Sequence, residues 1–170
     1  MHLSAPSRTF LRAPSRQPLP ERMPHLRILC IGRNAKDPLL KSADLYLERL
    51  SKFSKVELLR LREGTLEFEQ KQIEARLGSS GHLICLDERG KELRTRQVSD
   101  KIQGWDMDGV SPITFLIGGA NGLSSPLKER SKELWSLSQM TLPHRLAQVL
   151  LLEQLYRAFT INHGMPYHRD

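Results

Sequence analysis

The sequence predicts one α/β domain on a mostly parallel sheet, and three observations support this. Short apolar runs closed by turn residues alternate along the chain with longer segments of helical period. Such alternation points to strand–helix–strand units, whose right-handed crossovers make neighbouring strands parallel and cover both faces of the sheet. The chain has 170 residues, enough for one core and too few for two sizeable ones.

The elements follow in order. Leu26–Ile31 is a compact apolar run closed by Gly32 and reads as a buried strand. From Pro38 to about Leu50, the residues Leu39, Leu40, Ala43, Leu47 and Leu50 share one helical face. Val56–Leu61 is a second strand, and Thr65–Leu77 a second helix stopped by Gly78 and Gly81. His82–Leu86 is a third strand, with a turn over Asp87–Gly90. Thr95 to about Met107 is a third helix, expected to be ragged at Gly104, and Ile113–Ile117 is the fourth strand. A short helix over Pro126–Glu133, a short strand over Trp135–Leu137 and a final helix over Arg145–Ile161 complete the series. No internal repeat is present.

Composition narrows the function classes. No apolar run approaches the roughly 18 residues of a membrane span, so the chain is read as neither crossing nor using a membrane. Cys30 and Cys85 each sit in an apolar strand and read as buried free thiols of a reducing compartment. The net charge of +7 favours polyanions such as nucleic acid. Residues 1–23, rich in Ser, Pro and Arg, carry four arginines against Glu21, a net +3, which leaves only +4 for the rest. Residues 1–22 read as an extension ahead of a domain spanning 23–170. The extension is either an organellar transit segment, which would place the protein in a stroma or matrix, or a disordered or upstream-translated tail of a cytoplasmic protein.

In a parallel sheet, ligands gather beyond the carboxyl ends of strands. Three loops lie there: the one after Leu86, the glycine-rich Gly118–Ser124, and Leu137–Leu142. The glycine loop matches neither the GxxxxGK[ST] phosphate loop nor the GxGxxG dinucleotide fingerprint, so a tight turn and a ligand site stand level. Leu137-Ser138-Gln139-Met140-Thr141-Leu142 contains no acid, base or metal ligand. It offers main-chain groups and apolar side chains, which suit a flat aromatic ring with polar edges, or else it is an ordinary connector. Pro143 suits the first turn of a helix, whose positive end would then face a ligand. His144 is a helix-start residue or a substrate contact. Trp135 reads as core. His2, His25, His82 and His163 show no ligand spacing, so no metal is expected.

Three stretches taken together, IGGANGLS, WSLSQMTLPH and the terminal LLLEQLYRAFTINHGMPYHRD, closely resemble the RlmH family of small SPOUT-superfamily enzymes. The resemblance covers about Met23 to Asp170. It implies an α/β knot, in which the chain near the C-terminus threads through an earlier loop. It also implies methylation of N3 of a pseudouridine in large-subunit (23S) ribosomal RNA, with S-adenosyl-L-methionine as cofactor. By position, Leu86, Gly118, Leu137, Ser138, Gln139, Met140, Thr141 and Leu142 would hold that cofactor, mostly through main chain. The family further implies a homodimer that docks on the assembled ribosome, with the last helix and tail in the interface. His144 and Tyr167 would then bind substrate, while His168, Arg169 and Arg157 would serve the reaction. Without the resemblance Tyr167–Arg169 is a polar tail, and Arg157 with Glu153 an ordinary surface pair.

On this reading the imide N3 loses its proton and attacks the sulfonium methyl. Arg169, Arg157 or backbone donors stabilise the anion, and His168 is the one candidate base with suitable chemistry. Two rivals differ in kind: a SPOUT enzyme for another RNA, and a non-catalytic RNA-binding or ribosome-assembly factor on the same fold.

Overall fold

The computed structural model describes residues 25–32, 36–79 and 81–169. The extension over residues 1–22, with its targeting and tail readings, lies outside the described residues. The elements are β1 (His25–Ile31), α1 (Pro38–Leu50), β2 (Lys55–Leu61), α2 (Leu66–Glu74), β3 (His82–Glu92), α3 (Thr95–Met107), β4 (Ile113–Ile117), α4 (Ser125–Arg130), β5 (Glu133–Ser136) and α5 (His144–Asn162). The sheet runs β2-β1-β4-β3-β5 with every neighbouring pair parallel, as the alternation predicted. No described helix is long and apolar enough to cross a membrane.

Strand periodicity divides the core in two. Leu26, Ile28 and Cys30 of β1, with Ile113, Phe115 and Ile117 of β4, face α1, α3 and α5. Leu29 and Ile31 of β1, Cys85 of β3 and Leu116 of β4 point the other way, towards Ile73 of α2 and Leu127 of α4. Trp135 is core, as expected, with its ring stacked 5.9 Å from Trp105. Both cysteines are buried and free, and burial pushes Cys30 up to about 12 and Cys85 to about 11.

Helix α5 fills the space between α1 and α3 and buries Leu151, Leu152, Leu155, Ala158 and Phe159. Its start is pinned to that of α1. Asp37 caps α1 by accepting the Leu39 N–H at 2.8 Å, and its second oxygen accepts from Arg145 Nη1 at 2.7 Å. These hydrogen bonds, from Arg145 first and then the Leu39 amide, hold the Asp37 carboxyl below the usual carboxylate range.

The structure moves the bounds of four elements by more than one residue. Strand β3 runs to Glu92 through the expected turn, because Leu86 and Lys91 both pair with Trp135 and the ladder resumes beyond the residues between them. Helix α4 stops at Arg130 rather than Glu133, because the Lys132 N–H donates to Leu83 O at 2.8 Å and draws the chain into β5. Strand β5 therefore spans Glu133–Ser136 and leaves Leu137 to the loop. Helix α2 is shorter at both ends, since Thr65 caps it by accepting the Phe68 N–H and Ala75 closes it. Helix α3 continues through Gly104.

Leu152 is fully buried in α5. Leu152→Ala should cost about 2–5 kcal/mol, measured as a lowered urea midpoint at unchanged slope.

Candidate functional site

The three loops singled out in the sequence meet at the carboxyl edge of the sheet. They enclose a cavity of about 720 Å³, within the size range of small-molecule sites. One wall is Leu86–Arg89, a second is Ile117–Gly122, and the third runs from Leu137 to His144 without Gln139. Lys128 of α4 and Ala147 of α5 close the remaining gaps.

Local chemistry shapes each wall. The shift in pairing between β3 and β5 takes Asp87–Gly90 out of the ladder and leaves Asp87–Arg89 lining the cavity, and the Arg89 N–H donates to Asp87 Oδ1 at 2.9 Å. The glycine loop forms a tight turn and also part of the cavity wall. The Gly122 N–H donates to Gly119 O at 3.0 Å, and Gly122 adopts a φ of 71°. A Cβ on Gly118 would stand 2.5 Å from the Gly122 carbonyl carbon, so position 118 accepts only glycine.

In the third wall the hydroxyls brace the loop. Ser136 Oγ donates to Ser138 O at 2.8 Å, and Ser138 Oγ accepts the Met140 N–H at 3.0 Å. Thr141 Oγ1 donates to Glu88 at 2.7 Å and Gln139 Nε2 to Glu92 at 3.4 Å, tying this loop to β3. Leu137 and Leu142 pack against the larger core. What the loop presents to the cavity is therefore main chain and apolar surface, with the Met140 side chain 75% exposed.

Charge is balanced around the cavity. Lys128 Nζ pairs with Asp87 Oδ2. Burial alone would raise the Asp87 carboxyl, but the Lys128 ammonium and the Arg89 amide together bring it below its ordinary value. His144 Nε2 lies 3.4 Å from Glu63 Oε1 without hydrogen-bond geometry. Among the described residues, no group of three or more His, Cys, Asp or Glu side chains is placed to hold a metal.

The sequence-predicted residues separate into two groups. Leu86, Gly118, Leu137, Ser138, Met140, Thr141, Leu142 and His144 line the cavity together, while Gln139 turns outward to Glu92. Arg157, Tyr167, His168 and Arg169 are absent from its wall. His144 and Arg157 stand thirteen residues apart on one helix, about 20 Å along its axis. At that far end Tyr167 OH donates to Glu153 Oε1 at 3.1 Å, Arg157 pairs with the same carboxylate, and its guanidinium lies 4.8 Å above the Tyr167 ring. Tyr167 also meets Tyr156 edge-on at 4.8 Å. Arg157 and Glu153 are thus a half-buried, three-membered cluster with Tyr167 rather than an isolated surface pair.

Sequence reasoning singled out the loop after Leu86 without naming Asp87, Glu88 and Arg89 as site residues, and it missed Lys128. Those three loop residues were within reach, since DERG directly follows the third strand. Lys128 carried no signal, because its approach depends on how α4 lies against β3.

A parallel sheet whose carboxyl-edge loops enclose a cavity of this size defines an α/β protein with a small-molecule site at its topological edge. Comparison with known proteins narrows this. The family model described as predicted SPOUT methyltransferase matches residues 24–168. Ribosomal RNA large subunit methyltransferase H of Polynucleobacter asymbioticus is 40% identical over 146 residues, covering 85% of this chain and 99% of that protein. The protein of the same name from Paraburkholderia phytofirmans is 39% identical over 154 residues, covering 85% and 98%. Among solved structures, a probable methyltransferase from Bordetella pertussis Tohama I superposes with a TM-score of 0.55 at 12% identity, over 80% of this chain and 95% of that one, a likeness of fold alone. The chain belongs to the SPOUT methyltransferase family and, within it, to the ribosomal RNA large subunit methyltransferase H proteins. The α/β knot expected from the resemblance comes with that membership.

The depressed Asp87 carboxyl stabilises the fold above its unfolded value near pH 4 and loses that contribution as pH falls through its lower folded value. Asp87→Asn should therefore be less stable than the parent at pH 7, with the gap between their urea midpoints closing below about pH 4.

Proposed function

We propose that this protein transfers a methyl group from S-adenosyl-L-methionine to N3 of a pseudouridine in large-subunit (23S) ribosomal RNA, acting as a homodimer on the assembled ribosome. The observation that carries this reading is the meeting of Leu86, Gly118, Leu137, Ser138 and Met140–Leu142 around one cavity in a chain of this family. Leu86, Gly118 and the main chain of residues 137, 138 and 140–142 would hold the donor, with Gln139 securing the loop from outside. When bound, S-adenosylmethionine supplies an electrophilic sulfonium methyl. Leu86, Ile117, Leu137 and Leu142 would exclude water and provide apolar surface for its ring, and main-chain N–H and C=O groups would meet its polar edge. Because hydroxyl groups of the loop are spent on bracing it, the pocket is rigid before the donor arrives.

The separation between cavity and tail supports a composite site. Arg157, with Tyr167 packed on it, stands about 20 Å along α5 from His144 at the cavity, and His168 and Arg169 also lie outside the wall of that cavity. A partner related by a two-fold axis would bring its tail to that cavity. Leu45 of α1 and Leu150 of α5 are large apolar side chains left exposed, consistent with helices that a second copy covers. In the composite site Tyr167 and His144 would bind the target nucleotide. Arg157 and Arg169 would stabilise the anion left when N3 gives up its proton, and His168 would accept that proton.

Calorimetry with S-adenosylmethionine, followed by methyl transfer to 70S ribosomes, free subunits and naked RNA with nucleoside mass spectrometry, tests this reading. Donor binding and an N3-methylated pseudouridine from intact ribosomes are expected, whereas an absence of donor binding marks a pure binding factor. Removing residues 166–170 should leave donor affinity intact and lower turnover by about 10²-fold or more. His168→Ala with full turnover at every pH would remove His168 from the role of base.

A further inference from the structure

Glu69 of α2 is only 4% exposed, and among the described residues no cationic side chain pairs with its carboxylate. Its Oε1 accepts the Gly64 N–H at 3.0 Å, while its Oε2 is buried with no hydrogen-bond partner among the described residues. Buried carboxylate oxygens are costly to leave unmatched, so such a group calls for a reason. Its neighbour supplies one. A Cβ built on Gly119 would stand 3.1 and 3.3 Å from the two Glu69 oxygens and 2.9 Å from Ile31 Cγ2. The carboxylate therefore lies against the back of the Gly119–Gly122 turn, whose front is cavity wall. Through Gly64, the same group also ties down the loop between β2 and α2.

We propose that Glu69 is a positioning residue for methyl transfer: without touching donor or substrate, it fixes the depth of the glycine turn and with it the wall against which the donor is held. This rests on the donor-binding reading of the cavity and adds a residue from outside it. The role demands reach more than charge. Glu69→Gln has the same length and keeps an oxygen for the Gly64 N–H, whereas Glu69→Asp keeps the charge but withdraws it from Gly119.

The test measures donor affinity by calorimetry, well below each variant's melting temperature. Glu69→Ala and Glu69→Asp should both weaken S-adenosylmethionine binding about tenfold, and Glu69→Gln should recover most of the loss. Gly119→Ala should also weaken binding, and by a smaller factor once Glu69 is alanine, because two of the three close contacts of the added methyl group are then gone and only that with Ile31 remains. Unchanged affinity in Glu69→Asp, or penalties for Glu69→Ala and Gly119→Ala that simply multiply, would overturn the proposal. If Glu69→Ala does not fold, the Asp and Gln pair decides by the same criterion. A parent protein that fails to bind the donor overturns the reading of the cavity, whereas a parent that binds and Glu69 variants that bind equally well overturn only the role of Glu69.

Discussion

The burial of α5 between α1 and α3 is the constraint on which the rest of the structure depends. One face of the sheet carries Phe115, Ile84 and Ile28, and it is covered only when Leu151, Leu152, Leu155 and Phe159 are laid across it. That packing fixes both ends of the helix. Its first turn, held to α1 by Arg145 and Asp37, becomes the floor of the cavity, and its last turns carry the Tyr167–Arg157–Glu153 cluster to the far side. A change that shifts α5 thus alters the cavity and the tail together.

The loop before α5 divides its labour between side chains and backbone. Ser136, Ser138 and Thr141 look like candidates for chemistry, but each hydroxyl is engaged in holding the loop or joining it to Glu88. With these hydroxyls so occupied, backbone groups and leucine side chains remain for the recognition proposed above. A site of this kind suits a donor that needs holding rather than proton transfer. The residues proposed for proton chemistry stand elsewhere, on the tail, and this division is what brings a second subunit into the proposed site.

Much of this was legible in the sequence, for identifiable reasons. Strand and helix periods placed every element, because strands buried on both faces and helices with one apolar stripe are strongly patterned. The carboxyl-edge loops followed from the parallel sheet alone. Boundaries were less legible where pairing overrode local signals: Asp87-Glu-Arg-Gly90 reads as a turn, yet its flanks stay in one strand because both pair with Trp135. Glu133 reads as the end of a helix but belongs to β5, since Lys132 bonds to the neighbouring strand. Lys128 and Glu69 were invisible because their roles arise from contacts between elements. Knotting and the RNA target have no counterpart in periodicity and entered through family resemblance alone.

The most direct test of the composite site is complementation between two defective copies. One carries Gly118→Val, which blocks its cavity by collision with Gly122, and the other lacks residues 166–170. Each alone should be inactive. Mixed in equal amounts and allowed to exchange subunits, they should recover about a quarter of the parent's methyl transfer to ribosomes, because half the dimers are then mixed and each holds one intact site. A mixture that stays inactive although mixed dimers form would place cavity and tail in the same chain and contradict the account.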